Sequence, residues 1–176
     1  MVYIALEELG WRPYIKTWTA QGLKTALPEA SEQLRDQIYA LFDTYVDAGL
    51  NWVNRNGKQY IVAVENNLTS SLAWLVQSLM MPSRGFKYGA GVRPEDQTAA
   101  LGKIFAFAFV WSLGGNLAHG VKEEFDDFAR EHLQPLSNFP GGGLVFDYMV
   151  DGSKVSTKCG GRLSPGTNVL YFFVSF

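Results

Sequence analysis

The stretch KIFAFAFVWSLGGN, residues 103–116, decides how the rest of this 176-residue chain is read. From Ile104 to Leu113 its only polar side chain is Ser112, and four of those residues are aromatic. Such a run suits a membrane span, the inside of a globular core, or a cofactor pocket. A spanning helix needs about 20 predominantly apolar residues, whereas a run of about 10–14 belongs more often to a buried helix. Here ten residues lie between Lys103 and the sequence Gly114-Gly115-Asn116. Length excludes the membrane. A helix that is hydrophobic nearly all round is the central member of a bundle, with Gly114-Gly115 ending or kinking it.

The bulk properties suit a folded core. The chain is 47% hydrophobic, 18% charged and 14% aromatic, and its length is that of one domain. A formal charge of −2, with Lys and Arg scattered, gives no basic surface for nucleic acid. The densest acidic group, Glu123, Glu124, Asp126 and Asp127, reads as a solvated helix face. Cys159 is the single cysteine, so no internal disulfide forms and a reducing, cytoplasmic setting is the simpler expectation. The N-terminus MVYIALEELG has two acids and no basic region, unlike a signal peptide, so the sequon Asn67-Leu68-Thr69 is read as accidental.

Helical periodicity dominates up to about residue 134. Trp11, Ile15 and Trp18 form the stripe of a short helix with Pro13 in its first turn, and Gly22 and Pro28 then punctuate a loop. The clearest helix carries Leu34, Ile38, Leu41, Phe42, Tyr45, Trp52 and Val53 on one face. Ser31 is its expected N-cap and Gly57 sits at the C′ position, while Gly49 weakens the middle and allows a bend. KQYIVAV is either a strand or an apolar loop. Asn66 or Asn67 then caps a third helix lined by Leu68, Leu72, Leu75, Val76 and Leu79, which stops at Met81-Pro82. The segment SRGFKYGAGVR between Pro82 and Pro94 lacks periodicity and reads as a surface loop. The central helix starts near Glu95, and a fifth helix places Val121, Phe125, Phe128, Ala129 and Leu133 on one face. After Pro135, LVFDYMV, Asp151-Gly152 and KVST give a β-hairpin signal. TNVLYFFVSF reads as a further strand or a hydrophobic tail. The expected architecture is mainly α: a helical domain over residues 1–140, then a β-hairpin and divergent tail over 141–176.

No self-contained catalytic, cofactor or metal site can be assembled from these residues. His119 and His132 are thirteen residues apart without a Cys partner, so zinc spacing is absent and they read as surface or capping imidazoles. Cys159 has no evident His/Asn partners, and no G-x-S-x-G elbow occurs. The segment from Gly115 to Lys122 superficially suggests a phosphate-binding loop. Val121 separates Gly120 from Lys122, Glu123 follows, and the segment joins two helices rather than leaving a strand. PGGGL at 140–144 is a plain turn, and GAGVRP at 89–94 lacks the third glycine of a dinucleotide loop. Glu7-Glu8 and Asp126-Asp127 are adjacent pairs whose members point apart on a helix, which is no acid/base arrangement.

Five pieces, in order, resemble the heavy chain of dynein, the AAA+ microtubule motor. MVYIALEELGWRPYIKTW at 1–18 is similar to the family's Met-Val-Tyr strand end with its acidic pair, Leu-Gly-Trp and Pro-aromatic helix. LFDTYVDAGLNWV at 41–53 resembles the Leu-Phe-Asp helix, and FAFAFVWSLGGN at 105–116 the apolar Trp-Ser-Leu-Gly-Gly helix. FDDFARE at 125–131 resembles the Phe-Asp-Glu-Phe-x-Arg-Glu helix, and GLVFDYMVD at 143–151 the Gly-Leu-Val-Tyr-Asp-Tyr hairpin. The resemblance covers roughly residues 1–152 and is closer to axonemal than to cytoplasmic heavy chains. Two features depart from it. Met1 stands where the family has an internal methionine after a Ser-Arg-Cys-Gly element, and KCGGRLSPGTNVLYFFVSF does not continue the family's pattern.

The resemblance implies the helical lid that follows the second AAA+ large subdomain. It implies a structural and coupling role in ATP-driven microtubule-based movement, located at the cytoskeleton of the ciliary axoneme. Neighbouring AAA+ modules of the same heavy chain would be its direct partners. Intermediate and light chains and microtubules would be reached through the parent motor, with ATP and Mg held by that parent and not by this chain. Neither nucleic acid nor membrane is an expected partner. A freestanding helical interaction domain with dynein-like sequence is the competing reading, and a stand-alone enzyme a third. A motor segment should leave apolar patches uncovered, whereas a freestanding domain should present a polar surface.

Overall fold

A computed structural model describes residues 10–84, 86–87, 91–139, 141–151 and 154–158. The first helical passage is α1 (Arg12–Thr17), a π-helical segment at Trp18–Gly22, and α2 (Leu23–Ala26). It is followed by α3 (Glu32–Asn56), α4 (Glu65–Leu79), α5 (Pro94–Gly114) and α6 (Lys122–Leu133). Strands β1 (Tyr148–Asp151) and β2 (Lys154–Lys158) close the described chain as an antiparallel hairpin. Its register pairs Tyr148 with Lys158 and Asp151 with Lys154, with an irregularity between Met149 and Asp151. The expected tail after residue 158, including Cys159, and the pair Glu7-Glu8 lie outside the described residues.

The central helix is α5. Leu101, Ile104, Phe105, Ala106, Ala108, Phe109, Val110 and Leu113 are all buried, and α5 packs most extensively against α4. Only the Trp111 side of the opening stretch reaches the surface. Phe105 sits edge-on to Phe42 of α3 at 5.4 Å, and Phe42 in turn meets Trp18 at 5.6 Å. Favourable ring pairs add roughly 0.5–1.5 kcal/mol each beyond area burial. This chain of rings therefore ties the first helical passage, α3 and α5 into one core.

Several local expectations change on contact with the fold. Gly22 does not end the first helix. The backbone stays helical to Ala26, because Leu23 and Leu27 are buried and a π turn accommodates the Trp18 indole, which donates to Gln77 Oε1 at 3.0 Å. Gly49 does not bend α3, which runs unbroken from Glu32 to Asn56. A Cβ there would lie 2.4 Å from Phe109 Cζ and 2.5 Å from Leu113 Cδ2, so the missing side chain lets α3 and α5 approach. Ser31 does cap α3, accepting from the Leu34 N–H at 3.2 Å. Gly57 ends that helix in an extended rather than left-handed conformation, where a Cβ would meet the Val53 carbonyl at 2.5 Å.

Neither Asn66 nor Asn67 caps α4. Val64 holds the N-cap position and both asparagines lie inside the first turn. The segment after Pro82 is not wholly a surface loop, because Phe86 is buried in the core. LVFDYMV is not extended throughout: Val145–Asp147 is a single 3₁₀ turn, and the strand starts at Tyr148. Buried Val145 demands that turn, since alternation would carry its neighbour Phe146 away from the core it also contacts.

Candidate interaction surface and polar clamp

Two regions stand out against the packed core, an apolar loop held outward and a polar cluster at the start of the hairpin. KQYIVAV forms the loop between α3 and α4. Gln59 makes an isolated antiparallel bridge with Leu117, and the Tyr60 N–H donates to the Asn116 carbonyl at 3.0 Å. Asn116, the residue after Gly114-Gly115, holds the loop with its side chain. Its Oδ1 accepts from the Ile61 N–H at 3.3 Å, and its amide nitrogen donates to the Ile61 carbonyl and to Gln59 Oε1. Gln59 Oε1 also accepts from the Ala63 N–H at 3.0 Å.

These bonds consume loop backbone groups and leave the side chains displayed. Val62 is 88% exposed, Tyr60 70% and Ile61 60%, and elsewhere Trp74 of α4 is 60% exposed. β-Branched residues gain nothing by exposure in a free monomer. The sequence made KQYIVAV a strand or an apolar loop, and the fold selects the loop. The asparagine that fixes it carries no signal in sequence beyond its place after two glycines.

The acidic cluster divides. Glu123, Glu124 and Asp127 are exposed, but Asp126 is 7% exposed and is not part of a solvated face. One carboxylate oxygen accepts from the Val145 N–H, and the other from Arg130 Nε at 2.7 Å. Arg130 Nη2 donates to the Gly143 carbonyl at 2.7 Å. Asp126 is the main reason that the Arg130 pKa is raised, through this hydrogen bond. Gly143 has φ +80°, and a Cβ there would lie 2.5 Å from Asp147 Oδ2, which accepts from the Leu144 N–H at 2.8 Å. Thus PGGGL is more than a plain turn. Its carbonyls at 142 and 143 accept from Tyr148 Oη and Arg130. The i,i+4 spacing of Asp126 and Arg130 was the readable signal for the pair.

The two histidines lie in different surroundings. His119 is exposed. His132 stacks on Phe128 at 5.2 Å and lies 5.9 Å from Phe109, so it packs within the aromatic cluster rather than at the surface. Its Nε2 sits 3.0 Å from the Tyr45 carbonyl and must donate there, because a carbonyl only accepts. Among the described residues no group of three or more His, Cys, Asp or Glu could hold a metal ion. Among them also, no helix is long and apolar enough to cross a membrane.

A second ion-paired corner lies near the start of the described chain. Arg12 Nε donates to Asp43 at 3.0 Å and Nη2 to Asp47 at 2.6 Å, while the Trp11 indole donates to Asp47 at 3.0 Å. The hydrogen bond from Arg12 lowers the Asp47 pKa below the usual carboxylate range, and that from Trp11 adds to it.

The fit to a nucleotide can be tested on the Gly115–Lys122 segment. It joins α5 to α6 through a 3₁₀ turn at His119–Val121, and the Lys122 ammonium lies over the Phe146 ring at 5.0 Å. The neighbouring concavity, about 340 Å³, is shallow and lined by Asn56, Lys58, Ala118, Gly120, Val121 and Glu124. A lysine on an aromatic ring and a glutamate in the hollow do not fit phosphate binding.

Comparison with known proteins settles the family. The model of the dynein heavy chain AAA lid domain matches residues 38–157. The chain belongs to the dynein heavy chain AAA lid family. Dynein axonemal heavy chain 6 of Homo sapiens is 31% identical over 175 residues, covering 98% of this chain and 4% of that protein. The Dynein-1-beta heavy chain of the flagellar inner arm I1 complex of Chlamydomonas reinhardtii is 26% identical, again over 98% of this chain and 4% of the relative. Dynein axonemal heavy chain 1 of Mus musculus is 28% identical over 89% of the chain and 4% of its own length. The lid thus spans 4% of the length of these relatives. The matches favour a dynein heavy chain segment over a freestanding interaction domain, and the mainly α fold agrees with a lid.

Proposed function

We propose that this lid is a structural and coupling element of an AAA+ ring, moving as one body during ATP-driven microtubule-based movement. The observation that carries the reading is the continuity of its core. A single cluster of buried side chains runs from Trp11 to Val145, crossing every helix named above, with α5 at its centre. Close-packed interiors transmit displacement rather than absorb it. Domain organisation follows the same line: the described residues from 10 to 139 supply the helical body, and the hairpin begins what comes next.

Chemistry belongs to the parent motor in this reading. ATP and Mg are held by other modules, and microtubules and intermediate or light chains are reached through the rest of the heavy chain. Direct partners are neighbouring AAA+ modules, which would cover side chains such as Ile61, Val62 and Trp74. The axonemal names of the similar proteins support a place in the cytoskeleton of the cilium. The purified 176-residue chain, titrated with MgATP and separately with microtubules, should show saturable binding to neither. Saturable MgATP binding at micromolar concentration would overturn a purely mechanical role.

A further inference from the structure

The passage from α6 into β1 is held by two kinds of contact. Apolar contacts come from Val145, which is buried, and from Phe146, whose ring lies 5.8 Å from both Trp111 and Phe125. Such contacts are nondirectional and tolerate sliding. The polar contacts do not. Asp126 accepts the Val145 N–H, Arg130 donates to the Gly143 carbonyl, and the two side chains are joined to each other at 2.7 Å. Two backbone groups of the 143–145 turn, the Gly143 carbonyl and the Val145 N–H, are thereby hung on one pair from one face of α6. Net stability is a poor explanation for such a pair, since apolar replacements of buried ion pairs are often neutral or stabilising. Direction is the property that an apolar substitute would not supply.

We infer that Asp126 and Arg130 form a latch that fixes how β1 leaves the helical body, so that the hairpin moves with α6 as one rigid unit. The latch makes 141–148 a stiff connection rather than a linker. What the hairpin carries rests on the lid reading, but the latch is a property of this chain alone and is read without motor activity.

Amide hydrogen exchange on the 176-residue chain tests it, with residues 144–151 compared against 104–113 of α5. Asp126→Asn keeps the carboxylate's shape and loses its charge, and Arg130→Met keeps the stem and loses both donors. Loss of a charge-assisted bond should speed exchange at 144–151 by roughly ten- to a hundred-fold and leave 104–113 unchanged. Arg130→Lys retains the charge without the planar fork. It should give a smaller acceleration in the same residues, and it decides the matter if the other variants do not fold. Unchanged exchange at 144–151, or equal acceleration at 104–113, would overturn the latch and leave the lid assignment standing.

Discussion

Replacing Gly49 by alanine separates packing from propensity, because the two predict opposite signs. In the interior of a helix, alanine is favoured over glycine by about 1 kcal/mol. On propensity alone, Gly49→Ala stabilises α3. In the fold its Cβ would lie 2.4 Å from Phe109 Cζ, 2.5 Å from Leu113 Cδ2 and 2.8 Å from Phe109 Cε2. Ordinary carbon contacts are about 3.5–4.0 Å, so roughly 1 Å of separation must be found. Phe109 cannot supply it freely, being fully buried and in contact with Phe105 at 6.2 Å and His132 at 5.9 Å between ring centres. A Cβ this close to a fully buried ring falls in the upper part of the overpacking range, about 2–3 kcal/mol, and subtracting the propensity gain of about 1 kcal/mol leaves a net loss of about 1–2 kcal/mol. At this chain length that lowers Tm by about 2–8 °C. Urea unfolding should show a lower midpoint with an unchanged slope. A variant as stable as the parent, or more so, would refute the close approach of α3 and α5.

Ser31→Ala should lower stability by about 1 kcal/mol in the same assay, through loss of the cap on the Leu34 N–H. Asp47 has a folded pKa below its ordinary value of 3.8, so its contribution is complete above that pH and is lost as pH falls through the folded value. Asp47 and Arg12 are both about half exposed, which limits the effect to no more than about 1 kcal/mol. Acid unfolding of Asp47→Asn should therefore show a slightly shallower dependence at the acid end. With Ile61, Val62 and Trp74 displayed, the free chain should self-associate in sedimentation, and Val62→Asp should reduce that association while leaving stability within about 0.5 kcal/mol, since Val62 is 88% exposed.

The parts of the fold set by one helix's own pattern were legible. α5 announced itself because a run without a polar face has nowhere to go but a core, and Leu34, Ile38 and Phe42 line the buried side of α3 as their spacing requires. What depends on a partner across the core was not. Gly49 reads as a weak point until Phe109 and Leu113 are placed against it, and Gly22 as a stop until Trp18 needs the space. Asp126 was hidden by its acidic neighbours: charge composition gives a face, but only the position of the Val145 N–H makes one member of that face buried. Phe86 shows the same limit from the other side, since one aromatic in a glycine-rich stretch carries no period. Of the interaction surface, the apolar character of KQYIVAV was visible, while its fixation by Asn116 is a tertiary fact.

The central claim is that this chain works as the lid of a motor, by packing rather than by chemistry. A chimeric axonemal heavy chain carrying residues 10–151 of this chain in place of its own lid tests that most directly. ATP turnover and microtubule gliding are measured together, beside a second chimera with the Gly49→Ala change. The first chimera should hydrolyse ATP and drive gliding, and the second should glide more slowly for each ATP consumed. A folded first chimera that neither turns over ATP nor moves microtubules would contradict it.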